Sequence, residues 1–438
     1  MNKGIKDLAN TLVARIISAV MTIAIQGCLA WFLLPEGRGS YAVCLIFSIL
    51  LSYVFSVGSD ISFSYFVSSK NISLSEAVSY SLLIVPLISI AAIITGYIIL
   101  HLPLSFTYKA TYSAFLLALL YIPFFIFANI YIQIFTAIGQ FQYYGFMLIF
   151  RELNRLVFIL LFILCLSLGV NGALLATICS DIIIVALSLS IFYFKFSLQL
   201  TRIHLEKLKK ILSYGIRFYF GRLSNLLNFQ IGTIILAFFA TKAEIGIFSV
   251  ATALTMRVEM IPDALFSVIF PRVASSESGR KDLVAQCARI SGIICGLILV
   301  FLGLFAGPII KILFSSAFLE AKSLIRILTL GTMARCGCKV FVPYLLGIDH
   351  PGIASISVVI GLLINVILMY VLLPIYGLTG AALSVTINYL VSSSILLFSF
   401  VYLTRYRVLE VMVPNKSDLM LLKSAILDKL NISFSFGK

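Results

Sequence analysis

Charge is scarce in this chain. Asp, Glu, Lys and Arg make up 11% of 438 residues, and only 17 are acidic. A soluble globular domain carries about a quarter charged residues, so composition excludes that class. Histidine is rarer still. His101, His204 and His350 stand apart, with neither metal-ligand nor nucleophile–base spacing. No G-x-x-x-x-G-K-S/T loop occurs, which excludes ATP as the direct energy source. The short alternating runs of a transmembrane β-barrel are also missing.

What remains is apolar. Hydrophobic residues reach 61% and mean hydropathy is +1.12, values of an integral membrane protein. Twelve stretches approach the ~20 residues a helix needs to span hydrocarbon. They lie at about 11–34, 41–68, 77–101, 110–137, 144–168, 172–194, 211–240, 244–270, 285–312, 322–346, 352–374 and 378–403. The first follows Lys3 and Lys6 as a signal peptide would, but its length and lack of a small-residue cleavage site predict an uncleaved helix. All eight cysteines fall within spans, and Cys336-Gly-Cys338 has no partner Cys/His cluster, so buried structural thiols are expected.

Placing the N-terminus in the cytoplasm leaves five Lys/Arg outside: Arg38, Lys109, Lys242, Lys311 and Lys322. Most of the 32 then lie on cytoplasmic loops and tails, which satisfies the positive-inside rule and puts both termini inside. The net charge of +15 therefore needs no nucleic acid. Outward-facing loops are no longer than about a dozen residues, leaving no room for an extramembrane catalytic domain.

A weak repeat runs through the chain. Gly139, Gly169, Gly172 and Ala173 recur as Gly347, Gly377, Gly380 and Ala381, while Arg15, Gly39 and Tyr41 align with Arg222, Gly246 and Phe248. The expected organisation is an N-lobe over 1–194, a basic cytoplasmic linker over 195–210, a C-lobe over 211–404 and a cytoplasmic tail over 405–438. That tail is either an interfacial amphipathic helix or a disordered segment. Six helices per half make a parallel repeat, with the substrate site expected where the halves meet.

Ten cations sit inside the spans: Arg15, Arg151, Arg155, Arg217, Arg222, Arg257, Arg289, Arg326, Arg335 and Lys339. Each costs at least ~2.5–3.5 kcal/mol at mid-membrane unless water, an anion or a partner meets it. Arg289 and Arg326 lie near span ends and can snorkel, and Arg151 and Arg155 begin their span. On the seventh span Arg217, Gly221, Ser224, Asn225 and Asn228 share an arc of roughly 100°, facing either a polar cavity or an interhelical seam. Glu259 and Asp263 lie four apart on one face, with Arg257 on another and Pro262 freeing the Val258 carbonyl. They form either an H⁺ or Na⁺ site or partners for cations on the seventh helix. Arg335 and Lys339, also four apart, repel unless an anion or carboxylates lie opposite. Asp60 and Asp181 are coupling groups or salt-bridge partners.

Three stretches carry a family resemblance: Leu34-Pro-Glu-Gly-Arg-Gly-Ser-Tyr41, Ile312 through Leu324, and Leu346-Gly347 through Ala382 with Leu373-Pro374-Ile-Tyr376-Gly377. The whole chain resembles the O-antigen (Wzx-type) flippases of the multidrug/oligosaccharidyl-lipid/polysaccharide exporter superfamily. The resemblance implies an all-α integral membrane fold of twelve transmembrane helices, in two six-helix lobes around a central cavity. It implies translocation of a polyprenyl-pyrophosphate-linked oligosaccharide across the inner membrane by alternating access, with no catalysis. The first helix of each lobe would then face the cavity, setting Arg15 and Arg222 opposite each other as a pyrophosphate clamp. Arg257, Arg335, Lys339, Asn225 and Asn228 complete the expected substrate set, and Asp60, Asp181, Glu259 and Asp263 the ion-coupling set. No cofactor beyond a coupling H⁺ or Na⁺ is expected; partners are the lipid-linked oligosaccharide, membrane lipids and other polysaccharide assembly proteins. The competing readings are a multidrug/cation antiporter of the same superfamily, which the basic interior disfavours, and a membrane polysaccharide polymerase or ligase, which lacks a catalytic loop.

Overall fold

A computed structural model describes residues 3–274, 281–415, 418 and 420. The side chains of 3–9, 217, 218, 220–222, 225, 267, 268, 270–272 and 274 lie outside that description. Regular structure among the described residues is entirely helical, as a bilayer requires of any span that is not a closed barrel.

In chain order the helices are α1 (Lys3–Ser56), α2 (Ser59–Ser68), α3 (Leu74–Leu100), α4 (Tyr112–Ala137), α5 (Phe141–Ile159), α6 (Gly169–Phe196) and α7 (Leu205–Phe239). There follow α8 (Lys242–Met256), α9 (Met260–Ala274), α10 (Lys281–Leu304), α11 (Ala306–Leu313), α12 (Ala321–Cys338), α13 (Phe341–Gly347), α14 (Pro351–Thr404) and α15 (Val408–Met412). Seven helical stretches among the described residues are long and apolar enough to cross a membrane, so the chain is a multi-pass membrane protein. Two of them, in α1 and α14, are each a pair of helices joined without a loop. The chain reverses at Leu34 (φ 57, ψ 177), just before Pro35, and at Gly377 (φ 56, ψ −138). Helices α5, α7 and α12 are not among the seven; they carry Arg151, Glu152 and Arg155, Arg217 and Arg222, and Arg326 and Arg335 respectively.

Several spans expected to run unbroken do not. The 41–68 stretch divides into the end of α1 and α2 because Val57 (φ 49) and Gly58 (φ 71) are both left-handed. Three other divisions have a proline four residues beyond the break, where its missing N–H leaves a carbonyl without a helical partner. Pro262 follows the 3-10 turn Arg257–Glu259, Pro308 follows Leu304, and Pro343 follows Lys339. The Val258 carbonyl so released accepts the Cys295 thiol at 3.9 Å, and the Lys339 carbonyl accepts the Val342 N–H at 3.2 Å. Pro86 and Pro123, by contrast, leave α3 and α4 continuous.

Packing divides the chain into two units: Met1–Val250 with Ile310–Glu320, and Ala251–Ile309 with Ala321–Lys438. In the first, Tyr131 and Phe135 of α4 pack against Phe192 of α6, with centroids 5.8 and 4.8 Å apart. Helix α3 starts with a capping box: Ser73 accepts the Glu76 N–H at 3.1 Å while Glu76 accepts the Ser73 N–H at 2.8 Å. Two repeat-mated glycines meet within this unit. A Cβ on Gly39 would lie 1.8 Å from the Lys242 carbonyl oxygen, and one on Gly246 would lie 2.1 Å from that of Pro35. Only glycine allows two backbones this close. In the second unit, Phe341 and Tyr344 pack on Phe400 at 4.5 and 4.9 Å, and Val411 of α15 closes the same core.

Candidate functional site

The second unit gathers the densest intramembrane charge. The turn Arg257–Glu259 carries Glu259 inward, to 1% exposure, because the helix is broken there. Its Oε2 accepts Arg335 Nε at 2.8 Å and Lys339 Nζ at 3.1 Å. Lys339 Nζ also lies 2.8 Å from Asp263 Oδ1, whose side chain is 51% exposed. The ammonium therefore stands between the two carboxylates. Arg335 sits 4.6 Å above the Tyr389 ring of α14, a cation–π contact that compensates part of its desolvation.

These contacts answer the repulsion expected between Arg335 and Lys339: carboxylates do lie opposite them. Glu259 Oε1 is buried with no hydrogen-bond partner among the described residues, so the carboxylate has capacity these neighbours do not use. Arg257, two residues from buried Glu259, is exposed, as their helical phases predict.

The first unit holds the other two acids of the expected coupling set, Asp181 and Asp60. Asp181 of α6 is fully buried and takes a two-pronged contact from Arg151 of α5, Nε to Oδ1 at 2.7 Å and Nη2 to Oδ2 at 2.6 Å. Arg155 lies 3.8 Å from Asp181 and 3.3 Å from Glu152 one turn back. This fork is the geometry in which Arg binds carboxylate most strongly. Asp60 of α2 is buried as well, but borders a cavity of about 20 Å³ with Ser52, Tyr53, Ser56, Ser59 and Asn129. A space of that size and polarity holds about one water.

Arg15 and Asn228 of the expected set belong to the first unit. Arg15 is exposed and donates to Tyr144 Oη at 3.3 Å, over whose ring its guanidinium sits at 6.0 Å. Asn228 is buried on α7 at 2% exposure. The side chains of Arg222 and Asn225 lie outside the described residues.

Sequence reasoning missed Arg38, placed in an outer turn but in fact 3% exposed. It donates to Gln26 Oε1 at 2.5 Å and to the Gln26 carbonyl at 3.3 Å. The signal was the absence of a loop. With the chain reversing at Leu34-Pro35, no turn is long enough to carry Arg38 away from the helices. Arg289 likewise does not merely snorkel: its guanidinium grips buried Asp418 at 2.5 and 3.3 Å and the Glu410 carbonyl at 2.7 Å. Those bonds hold the Asp418 carboxyl below the usual carboxylate range.

A family model described as polysaccharide biosynthesis protein matches residues 5–277. Over 164 residues the chain is 26% identical to a probable low-salt glycan biosynthesis flippase of Haloferax volcanii, taking in 36% of this chain and 35% of that relative's length. Two solved structures share the fold. Lipid II flippase in an inward closed conformation is 18% identical with TM-score 0.66, covering 99% of this chain and 98% of the other. An inward-facing multidrug resistance MATE family transporter of the MOP superfamily is 17% identical with TM-score 0.63, covering 92% and 98%.

Proposed function

The chain belongs to the polysaccharide biosynthesis protein family, and from that premise we propose that it is a flippase for a lipid-linked glycan. The substrate is a polyprenyl-pyrophosphate-linked oligosaccharide, an O-antigen or similar surface-polysaccharide unit. It is carried from the inner to the outer leaflet of the cytoplasmic membrane, with both chain termini inside. Lobes spanning 1–194 and 211–404 alternate access to the substrate, and no bond is made or broken.

The observation that carries this reading is the pair of buried Arg335 and half-buried Lys339, held by Glu259 and Asp263. Two cations four residues apart suit a pyrophosphate: guanidinium binds phosphate oxygens in a fork, and ammonium follows as a point charge. In the resting site the carboxylates are stand-ins for that anion. When pyrophosphate takes the cations, buried Glu259 loses its partners, and a proton is the simplest group to neutralise it, whereas half-exposed Asp263 is left to solvent. Substrate binding and H⁺ uptake are thereby coupled. Asp60, beside its polar cavity, offers a second position for a proton or Na⁺. Asp181 is a weaker coupling group because the Arg151 fork already neutralises it.

The antiporter reading would use Glu259 and Asp263 to attract a cationic drug. Lys339 already occupies the space between them, which disfavours that role.

The test is reconstitution of the full chain into proteoliposomes with a fluorescent polyprenyl-pyrophosphate-linked oligosaccharide. Transfer to the leaflet open to a membrane-impermeant quencher supports the proposal. Retention of the probe, together with movement of a lipophilic cation, would overturn it in favour of the antiporter.

A further inference from the structure

A second cavity lies in the first unit, where the end of α2 meets the start of α7. Its volume is about 510 Å³, and its lining is Phe66, Glu206, Lys209, Lys210, Ser213 and Tyr214. The α7 members recur every three or four residues, so they form one face of the helix. None of them belongs to the charged clusters described above.

This wall is built rather than incidental. Lys207 binds Glu76 at 2.6 Å, and the backbone N–H groups of Gln199 and Thr201 donate to Ser75 and Ser79 at 3.2 and 2.9 Å. These bonds pin the connection before α7 to the first turns of α3. Gly58 and Gly215 bring α2 and α7 into backbone contact: a Cβ on Gly215 would lie 2.4 Å from the Val57 carbonyl oxygen. Tyr214 is stacked on Tyr65 at 4.2 Å and edge-on to Phe66 at 5.6 Å, so its orientation is set.

The chemistry of the lining is mixed in a telling way. Lys209 and Lys210 supply two exposed ammonium groups against the single carboxylate of Glu206, leaving the lining net positive; Ser213 and Tyr214 supply hydroxyls, and Phe66 supplies an apolar ring. Along the chain on either side, Leu200 (72% exposed), Leu205 (74%) and Ile216 (52%) present bare apolar side chains. Ammonium and hydroxyl groups beside exposed aliphatic residues match a molecule with a phosphate head and a hydrocarbon tail.

We propose that this cavity binds the phosphate of a lipid headgroup, with Lys209 and Lys210 as its charge partners and Ser213 and Tyr214 as hydrogen-bond donors. The site requires only that the chain sits in a bilayer. It does not depend on the flippase reading, since bulk anionic phospholipid and a polyprenyl pyrophosphate both carry the required group.

Native mass spectrometry of the full-length protein, titrated in detergent with dioleoyl phosphatidylglycerol or with a polyprenyl pyrophosphate, tests the proposal and separates the two sources. At ~1 kcal/mol per basic residue near the headgroup, the double variant Lys209→Gln/Lys210→Gln is expected to weaken binding roughly thirty-fold. Tyr214→Ala checks the hydroxyl and ring, and Lys70→Gln, an exposed lysine outside the lining, is the control. Weakening with the pyrophosphate alone identifies the polyprenyl lipid as the occupant; weakening with both identifies a general phosphate-lipid site. Unchanged binding of both probes by a correctly folded double variant, or an equal loss in Lys70→Gln, overturns the proposal. Binding without transport would leave this site standing and refute the flippase reading alone.

Discussion

Glu259→Gln is the substitution that most directly interrogates the charged site. The carboxylate is 1% exposed and its Oε2 takes both Arg335 and Lys339, at 2.8 and 3.1 Å. Removing one partner from a buried ion pair costs ~3–5 kcal/mol, because the remaining charge is left uncompensated. Lys339 keeps Asp263 at 2.8 Å, so the loss falls mainly on Arg335, which loses its 2.8 Å carboxylate contact and keeps the Tyr389 ring at 4.6 Å. The lower end, about 3 kcal/mol, is therefore expected. At ~2–4 °C per kcal/mol for a unit of this size, the melting temperature should fall by roughly 6–12 °C.

Two further measurements separate this mechanism from a general packing defect. The double variant Glu259→Gln/Arg335→Gln removes both charges and should recover much of the loss, giving a coupling energy of at least ~1.5 kcal/mol. Inorganic pyrophosphate should raise the melting temperature of Glu259→Gln more than that of the unmodified protein, since the competing carboxylate is gone. A Glu259→Gln protein melting within a degree or so of the parent would refute the reasoning. So would a double variant whose loss equals the sum of the singles.

Two other outcomes are expected. Gly39→Ala should destabilise the first unit by ~1–3 kcal/mol or more, because its methyl group must displace the Lys242 carbonyl from 1.8 Å; fluorescence-detected size exclusion on heating reads this, and an unchanged melting curve would be contrary. Asp418 is held below its ordinary carboxyl value chiefly by the Arg289 hydrogen bond. Its contribution to docking the tail is thus present above the usual value near ~3.9 and lost as pH falls through the lowered one. Protection factors over residues 407–413, corrected for the slower intrinsic exchange in acid, should fall on acidification below that range, and Asp418→Asn should show the same loss of protection at neutral pH. Equal protection in both proteins would show that the ion pair does not hold the tail.

Much of the fold was legible because membrane helices declare themselves locally. A bilayer offers no hydrogen bonds, so each apolar stretch must satisfy its own backbone, and hydropathy locates the seven long apolar stretches while the charged α5, α7 and α12 fall outside them. The breaks were less legible. Pro262 was a visible signal, and Pro308 and Pro343 obey the same rule. Val57–Gly58 carried no such mark, since a left-handed pair inside an apolar run looks like ordinary span. At the site, helical phase correctly separated Arg257 from Glu259, because that relation is set within one turn.

What remained hidden were partners distant along the chain. Spacing showed that Arg335 and Lys339 needed an anion or carboxylates opposite, but candidate acids existed on several helices. Glu259 answers Arg335 across 76 residues of sequence. Asp181 answers Arg151 across 30, and Asp418 answers Arg289 across 129. Arg38 passed for a loop residue because its burial depends on a reversal with no loop at all.

By itself, then, the sequence determined that this is an all-helical membrane protein with a duplicated pattern and an excess of intramembrane cations. Those properties follow from solvent, backbone hydrogen bonding and local period, which act over one helix at a time. Only tertiary structure decided which cation meets which carboxylate, and that Lys339 stands between two of them. An ion pair forms over a few ångströms, and helix packing, not sequence spacing, sets which residues come within that reach.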